Sequence, residues 1–438
     1  MKLQVARAAV ILCICFLAAG CANKQPGQEA GPPGAVEQQP DPNAGNSSGQ
    51  PPNEGSGAAP DNGSNGSGNQ QEASPGKLEL QLKAMPLSEK LGQLIIAGVE
   101  GTSANDKTRR MISEEHVGGI IFYKNNLTDP EGVTGYVNTL KSWNRANSAP
   151  LFISVDEEGG RVSRLPGLSK IPAASRVGEA DKPDYAARIG AFLGEACRVM
   201  GINMDYAPVL DINSNPGNPV IGDRSYGTTA ELVTRTGMEV MNGMRTTGVI
   251  PVVKHFPGHG DTSVDSHLEL PVVNKSLKEL QALEWLPFRE AVKQGADAVM
   301  VAHILFPKLD ADYPASLSKT VITDELRGML GFKGVVITDD LTMGAIAKHY
   351  GMGEAAVRSV KAGSDILLVA HGYENVTSII QALKKSLDKG EITQERIDES
   401  VMRVLALKDK YKLTDEGETP NPDLTELNNA IDRTVASP

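Results

Sequence analysis

The chain has 438 residues, 54 of them Asp or Glu against 43 Lys or Arg, and a formal net charge of -11. That balance argues against nucleic acid as a partner, because gripping a phosphate backbone needs a basic surface. A hydrophobic share of 40% is ordinary for a chain with a buried core.

At the N-terminus, Lys2 and Arg7 precede an apolar stretch from Ala8 to Ala19. About a dozen residues are too few to span a bilayer. The following Leu17-Ala18-Ala19-Gly20-Cys21 resembles the lipobox of bacterial lipoproteins. The resemblance implies a signal peptide over 1–20, cleavage before Cys21, and a lipid on Cys21 that anchors an exported chain to the outer face of the cell membrane, or on the periplasmic side in a cell with two membranes. Residues 21–76 are rich in Gly, Pro, Asn, Ser and Gln and nearly free of large apolar side chains. Such a segment cannot bury enough surface to offset chain entropy, so a disordered tether is expected.

Residues 77–413 show no break in composition and are expected to form one folded unit, followed by a polar tail over 414–438. Strand-like runs occur at Leu94 to Ala97, Gly119 to Phe122, Leu151 to Val155, Ile202 to Leu210, Ile250 to Val253, Ala298 to Ala302, Val335 to Thr338 and Ile366 to Ala370. Helix-period segments lie between them. Ser276 with Glu279 forms a capping box, Thr393 opens a further helix, and Cys197 sits within a helical pattern as an inert core residue with no disulfide expected. The predicted class is α/β, a (β/α)8 TIM-type barrel. A doubly wound open sheet would give the same alternation.

The placement of polar residues favours the barrel. Asp156, Lys254 with His255, His303, and Asp339 each follow a strand-like run. The carboxyl ends of barrel strands converge on one face, so residues far apart in sequence can line one pocket. The densest such segment is Val252 to His267, VVKHFPGHGDTSVDSH, with one lysine, three histidines and two aspartates. Titratable groups at that density are costly to bury and make a poor core, which points to chemistry.

Together with Lys254–His267, the runs Asp156-Glu157-Glu158-Gly159-Gly160-Arg161-Val162, Gly222-Asp223-Arg224-Ser225-Tyr226 and Thr338-Asp339-Asp340-Leu341 resemble the motifs of family 3 of the glycoside hydrolases, in its β-N-acetylglucosaminidase branch. The resemblance implies an enzyme that removes non-reducing terminal β-linked N-acetylglucosamine with retention of configuration. It implies Asp339 as nucleophile, with Asp340 the competing choice. His267 would be the proton donor, with Asp265 holding its ring. Asp156, Arg164, Arg224, Lys254 and His255 would contact the sugar. His259 and His303 are expected near the pocket without a role, and Arg161 behind the site.

Three other readings stand beside this one. A metal-dependent hydrolase would use His255, His259, Asp261, Asp265 and His267 as ligands, but it lacks an early His-x-His. A sugar-binding transport lipoprotein shares the lipobox. A phosphorylase would use the same site with phosphate in place of water, since an imidazole does not repel an anion as a carboxylate does. No dinucleotide fingerprint, P-loop or serine-hydrolase elbow is present, so no cofactor or metal is expected. The expected partners are an N-acetylglucosamine-containing saccharide and the membrane, and the expected state is a monomer. A peptidoglycan fragment is the expected substrate, given an exported enzyme.

Overall fold

The computed structural model describes residues 76–438. The expected signal peptide, Cys21 and, apart from Gly76, the expected tether lie outside the described residues.

Eight strands, β1 (Ile95–Gly98), β2 (Gly119–Phe122), β3 (Phe152–Val155), β4 (Met204–Asp205), β5 (Ile250–Phe256), β6 (Ala298–Val301), β7 (Val335–Asp340) and β8 (Ile366–Val369), close into a barrel in chain order. Every pairing is parallel, including β1 with β8. The eight strand-like runs thus became the eight strands. The least regular of them, Ile202 to Leu210, is reduced to the short β4, and its chain touches β5 again only at an isolated bridge between Val209 and Lys254.

The alternation along each strand explains why these runs are almost wholly apolar. Ile96, Ile121, Phe152, Met204, Ile250, Val252, Met300, Val335, Ile337, Ile366 and Leu368 pack together inside the barrel. Their neighbours Val253, Val299, Val301 and Val336 face the surrounding helices, as do Ile120, Ile153, Leu367 and Val369. A parallel strand buried on both faces has no polar side to show until it reaches its end.

Helix starts follow local chemistry. The Ser276 hydroxyl accepts from Glu279 N–H and Glu279 reaches back, forming the anticipated box, and Thr393 caps Gln394–Lys410. Asp129 caps Pro130–Asn144, with proline in the first turn where its missing N–H costs nothing. Cys197 is fully buried on Pro183–Val199 and unpaired.

The polar tail expected from residue 414 onward is a correction to the sequence reading. Asp415 is buried, and a helix, Thr425–Ala436, packs Ile431 at 0% exposure against the helix Pro183–Val199. Its apolar positions, Leu424, Leu427 and Ile431, are spaced for one helical face, but they are too few in that polar stretch to stand out in composition.

Candidate active site

The same two-residue alternation builds the mouth. Tyr123, Asp156, Lys254 and Asp339 each lie two positions beyond an inward-facing residue, Ile121, Ser154, Val252 and Ile337 respectively, and so are aimed into the barrel axis at its carboxyl end. There they line a cavity of about 360 Å3. All eight sequence-predicted catalytic and sugar-contacting residues, Asp339, His267, Asp265, Asp156, Arg164, Arg224, Lys254 and His255, line this one cavity.

Its floor is an ion cluster. Lys254, 1% exposed, donates to Asp156 Oδ1 at 2.5 Å and lies 2.7 Å from Glu158 Oε1. Arg224 grips Glu158 through two nitrogens, at 2.8 and 2.7 Å. Burial opposes each charge, but the partners outweigh it. The Glu158 carboxylate is held far below its usual range by Arg224 and Lys254, and the Lys254 ammonium is held above its own by Asp156 and Glu158. Arg224 therefore binds a carboxylate and faces the cavity at once.

His255 donates through Nδ1 to Asp211 Oδ2 at 2.6 Å, which leaves Nε2 for the cavity. Asp211 also accepts the backbone N–H of His259 at 2.6 Å. The sequence reading missed Asp211, although it directly follows the run ending at Leu210 and the strand-end rule would have found it. Tyr123 was missed for a different reason: it is uncharged, so it did not register as a strand-end polar group.

Adjacent aspartates at the end of β7 have opposite fates. Asp340, though it also reaches the cavity wall, is largely engaged by protein. It accepts from Thr342 N–H (2.9 Å), Thr342 Oγ1 (2.6 Å) and Ala370 N–H (2.9 Å), locking β7 to the end of β8. Asp339 accepts the Asp340 N–H at 2.9 Å and opens on the cavity. Burial disfavours its charge, but His303, His255, that N–H and His267 bring it down to about 2, so it is ionised at neutral pH. His303 lies behind it, fully buried, donating Nε2–H to the Asp340 carbonyl (2.9 Å) while its Nδ1 accepts from Ser316 (2.6 Å).

The loop after β5 carries the imidazole. Asp265 Oδ1 accepts both the backbone N–H and Nδ1 of His267, each at 2.9 Å, which fixes the ring with Nε2 free. His259 pins the loop from within, its two ring nitrogens bonded to Thr262 Oγ1 (2.9 Å) and Ser266 Oγ (3.0 Å). The loop also rests on the turn after the Asp339 strand: Gly344 N–H donates to the His267 carbonyl and Ala345 N–H to that of Ser266, both at 3.1 Å. A Cβ on Gly344 would lie 2.7 Å from the carbonyl oxygens of His267 and Leu268.

The five groups of the metal reading do not converge as a ligand set. Both His259 nitrogens are occupied and Asp261 pairs with Lys275 at 2.9 Å, and among the described residues no three of these groups come together around one point. Arg161 is on the rim rather than behind the site, pairing with Asp223 at 2.8 Å while lining the cavity. The two lobes of a transport binder are replaced by one closed barrel.

A barrel mouth that gathers an ionised carboxylate, an imidazole and charged hydrogen-bonding groups in one cavity is the kind of site a glycoside hydrolase presents to a sugar. Residues 86–407 match the glycosyl hydrolase family 3 N terminal domain, and the chain belongs to that family. It is 36% identical over 298 residues to a beta-hexosaminidase of Tolumonas auensis, covering 67% of this chain and 87% of the relative. It is also 36% identical over 328 residues to beta-hexosaminidase LpqI of Mycobacterium tuberculosis, covering 73% and 82%. The chain spans only 56% of the longer beta-hexosaminidase A of Pseudoalteromonas piscicida. The solved family 3 beta-N-acetylglucosaminidase of Paenibacillus sp. str. FPU-7 superposes with a TM-score of 0.75 at 46% identity, over 80% of this chain and 68% of that one.

Burial drives His259 from 6.5 to about 4 and lowers His303 as well, so both are neutral in the folded barrel near pH 7. Below about 6.5 the unfolded chain binds a proton that the His259 ring refuses, so its contribution to stability is complete above that pH and is lost as the pH falls through 4. The stability advantage of the native chain over His259→Asn should shrink by up to about 3 kcal/mol between pH 6.5 and 4. Denaturant unfolding at stepped pH measures it. An advantage that stays flat or grows with acid contradicts the neutral clamp.

Proposed function

We propose that the chain is a retaining exo-β-N-acetylglucosaminidase acting on non-reducing terminal N-acetylglucosamine of peptidoglycan fragments or related oligosaccharides. The observation that carries the reading is that an ionised Asp339 and the His267–Asp265 pair face one cavity whose floor is the Asp156–Lys254–Glu158–Arg224 cluster. At about 360 Å3 the cavity is near the small end of ligand pockets, which fits one sugar and an exo mode of attack.

Asp156, Lys254, Arg224, Arg164 and His255 hold the hydroxyls and acetamido group, charged partners giving stronger and more directional bonds than neutral ones. Asp339 attacks the anomeric carbon. Its oxygen forms the new bond as the glycosidic C–O bond breaks, and His267 Nε2–H gives its proton to the departing oxygen. In the second half the neutral His267 takes a proton from water, which displaces Asp339 and releases the sugar. Asp265 keeps the ring oriented and stabilises its positive form, as the aspartate does in a serine-protease triad. The lipobox ending at Cys21 supports an exported, membrane-anchored enzyme, which would put the site beside cell-wall fragments.

Aryl glycosides derived from glucosamine, glucose and xylose test the specificity, with only the N-acetylated glucosamine series expected to turn over well. Rate measured against inorganic phosphate, with product examined for the sugar 1-phosphate, decides between water and phosphate as acceptor.

Asp339→Ala should abolish turnover in a folded protein. Asp340→Ala should chiefly lower the melting temperature, because it strips the bonds to Thr342 and Ala370. Exchanged phenotypes would move the nucleophile to Asp340.

His267→Ala should cost on the order of 10² to 10⁴ in turnover of substrates with poor leaving groups, and far less with activated aryl groups that need no proton. Gly344→Ala, which crowds the loop, should show the same dependence in weaker form. Equal losses across leaving groups for His267→Ala would remove the acid role.

A further inference from the structure

The matched family region ends at residue 407, yet the chain continues as a strap across the barrel wall. The helix Pro130–Asn144 follows β2, so it runs from the mouth of the barrel down to its base. The strap ascends it. Asp415 accepts from Asn144 Nδ2 at 2.6 Å and from Leu151 N–H at 3.3 Å, near the base. Thr419 then exchanges two backbone-to-amide bonds with Asn138, both at 2.8 Å. Asn421 accepts from Thr134 Oγ1 at 3.2 Å and donates to Glu131 at 2.9 Å, one turn from the mouth. Beyond it, Leu424 is buried at 8% exposure, and the helix Thr425–Ala436 begins.

At the mouth the strap meets the segment after β3. Asn428 acts there as a two-pronged partner for the backbone: its Oδ1 accepts Ser169 N–H at 2.8 Å and its Nδ2 donates to the Gly167 carbonyl at 2.9 Å. Gly167 has a φ of +76°, and a Cβ there would come within 2.9 Å of Pro130 and 3.2 Å of Leu424. Ile431 then packs in one cluster with Ile171, Ala174 and Val177, on the far end of the same segment.

That segment brings Asp156, Glu158, Arg161, Val162 and Arg164 to the cavity. It is clamped from the barrel side by the buried Glu157, which accepts from the Ser163 hydroxyl (2.5 Å), Arg164 N–H (2.6 Å) and Leu165 N–H (3.0 Å). Arg164 is held directly by the Glu157 clamp, and the Asn428 clamp takes the same segment three residues further on, at Gly167 and Ser169. Among the described residues its guanidinium makes no hydrogen bond or ion pair with protein, unlike that of Arg224. With no partner on the guanidinium, the reach of this side chain starts from a segment that only Glu157 and Asn428 hold.

We propose that the C-terminal strap, through Asn428, positions Arg164 against the substrate, so that a segment beyond the family barrel belongs to the sugar-binding apparatus. The proposal rests on Arg164 being a sugar contact. Asn428 is a positioning residue, and releasing it touches neither the loop after β5 nor the end of β7, which carry the reacting groups. Its loss should therefore weaken binding more than it slows chemistry.

Steady-state kinetics of the full chain on an aryl β-N-acetylglucosaminide test this, with Arg164→Ala, Asn428→Ala, Asn428→Asp, Asn421→Ala and the Arg164→Ala/Asn428→Ala double variant. Arg164→Ala should raise KM. Asn428→Ala should raise KM on the order of fivefold, the worth of about 1 kcal/mol of lost hydrogen bonding, with kcat nearly unchanged. Asn428→Asp, which keeps the acceptor for Ser169 but sets an oxygen against the Gly167 carbonyl, should also raise KM and covers the case in which the alanine variant folds poorly. Asn421→Ala, on the same strap but away from the segment, should lower the melting temperature without moving KM. The double variant should have the KM of Arg164→Ala alone, because the strap acts through that side chain. An unchanged KM in Asn428→Ala and Asn428→Asp, beside an elevated one in Arg164→Ala, overturns the role of the strap. An unchanged KM in Arg164→Ala instead removes Arg164 as a sugar contact.

Discussion

The ammonium of Lys254 is almost wholly removed from water. A lone charge there would be prohibitively expensive, and it survives because Asp156 and Glu158 meet it and Arg224 balances the second carboxylate. This cluster joins the end of β5 to the end of β3 and to the Gly222–Arg224 turn. Charge is tolerated in the interior of such a pocket only when each member is held by another. Pairing within the cluster thus stabilises the mouth and orients its binding groups in the same stroke.

Around that cluster, neighbouring residues of the same type divide the work. Asp340 spends its oxygens on Thr342 and Ala370, and so keeps the backbone still while Asp339 remains open to the cavity. Glu157 is buried and organises the backbone of 163–165, while Glu158 belongs to the ion cluster. Of the histidines on the β5 segment, His259 is consumed by the loop it pins, and His267 is held only by Asp265, with its side chain 64% exposed. For the aspartate and histidine pairs, the residue more fully bonded to protein makes the rigid frame, and its counterpart keeps capacity toward the cavity.

The frame reaches further than the barrel. Gly344, a few residues past the Asp339 strand, takes the carbonyl of His267, so the Asp339 strand and the His267 loop are joined by a direct backbone contact. On the other flank the chain beyond the family region returns to the mouth and takes hold of Gly167 and Ser169. Loops on this face have few packing partners of their own, and these contacts substitute for a core.

Local patterning was enough to reveal the eight strands, because a strand buried on both faces needs an unbroken apolar run, and such runs stand out between helix-period segments. It was also enough to select Asp156, Lys254, His255 and Asp339, since a polar residue at the end of such a run has one natural destination in a barrel. Asp211 and Tyr123 obeyed the same rule and escaped notice only because their strand was irregular or their side chain uncharged. The order of strands around the barrel, the choice between Asp339 and Asp340 on geometric grounds, and the return of residues 414–438 to the mouth depended on contacts between positions far apart in the chain. Sequence spacing carries the direction of a side chain relative to its own strand. It does not say which distant groups will have used up that side chain's hydrogen bonds, and that decided which residues became frame and which stayed free.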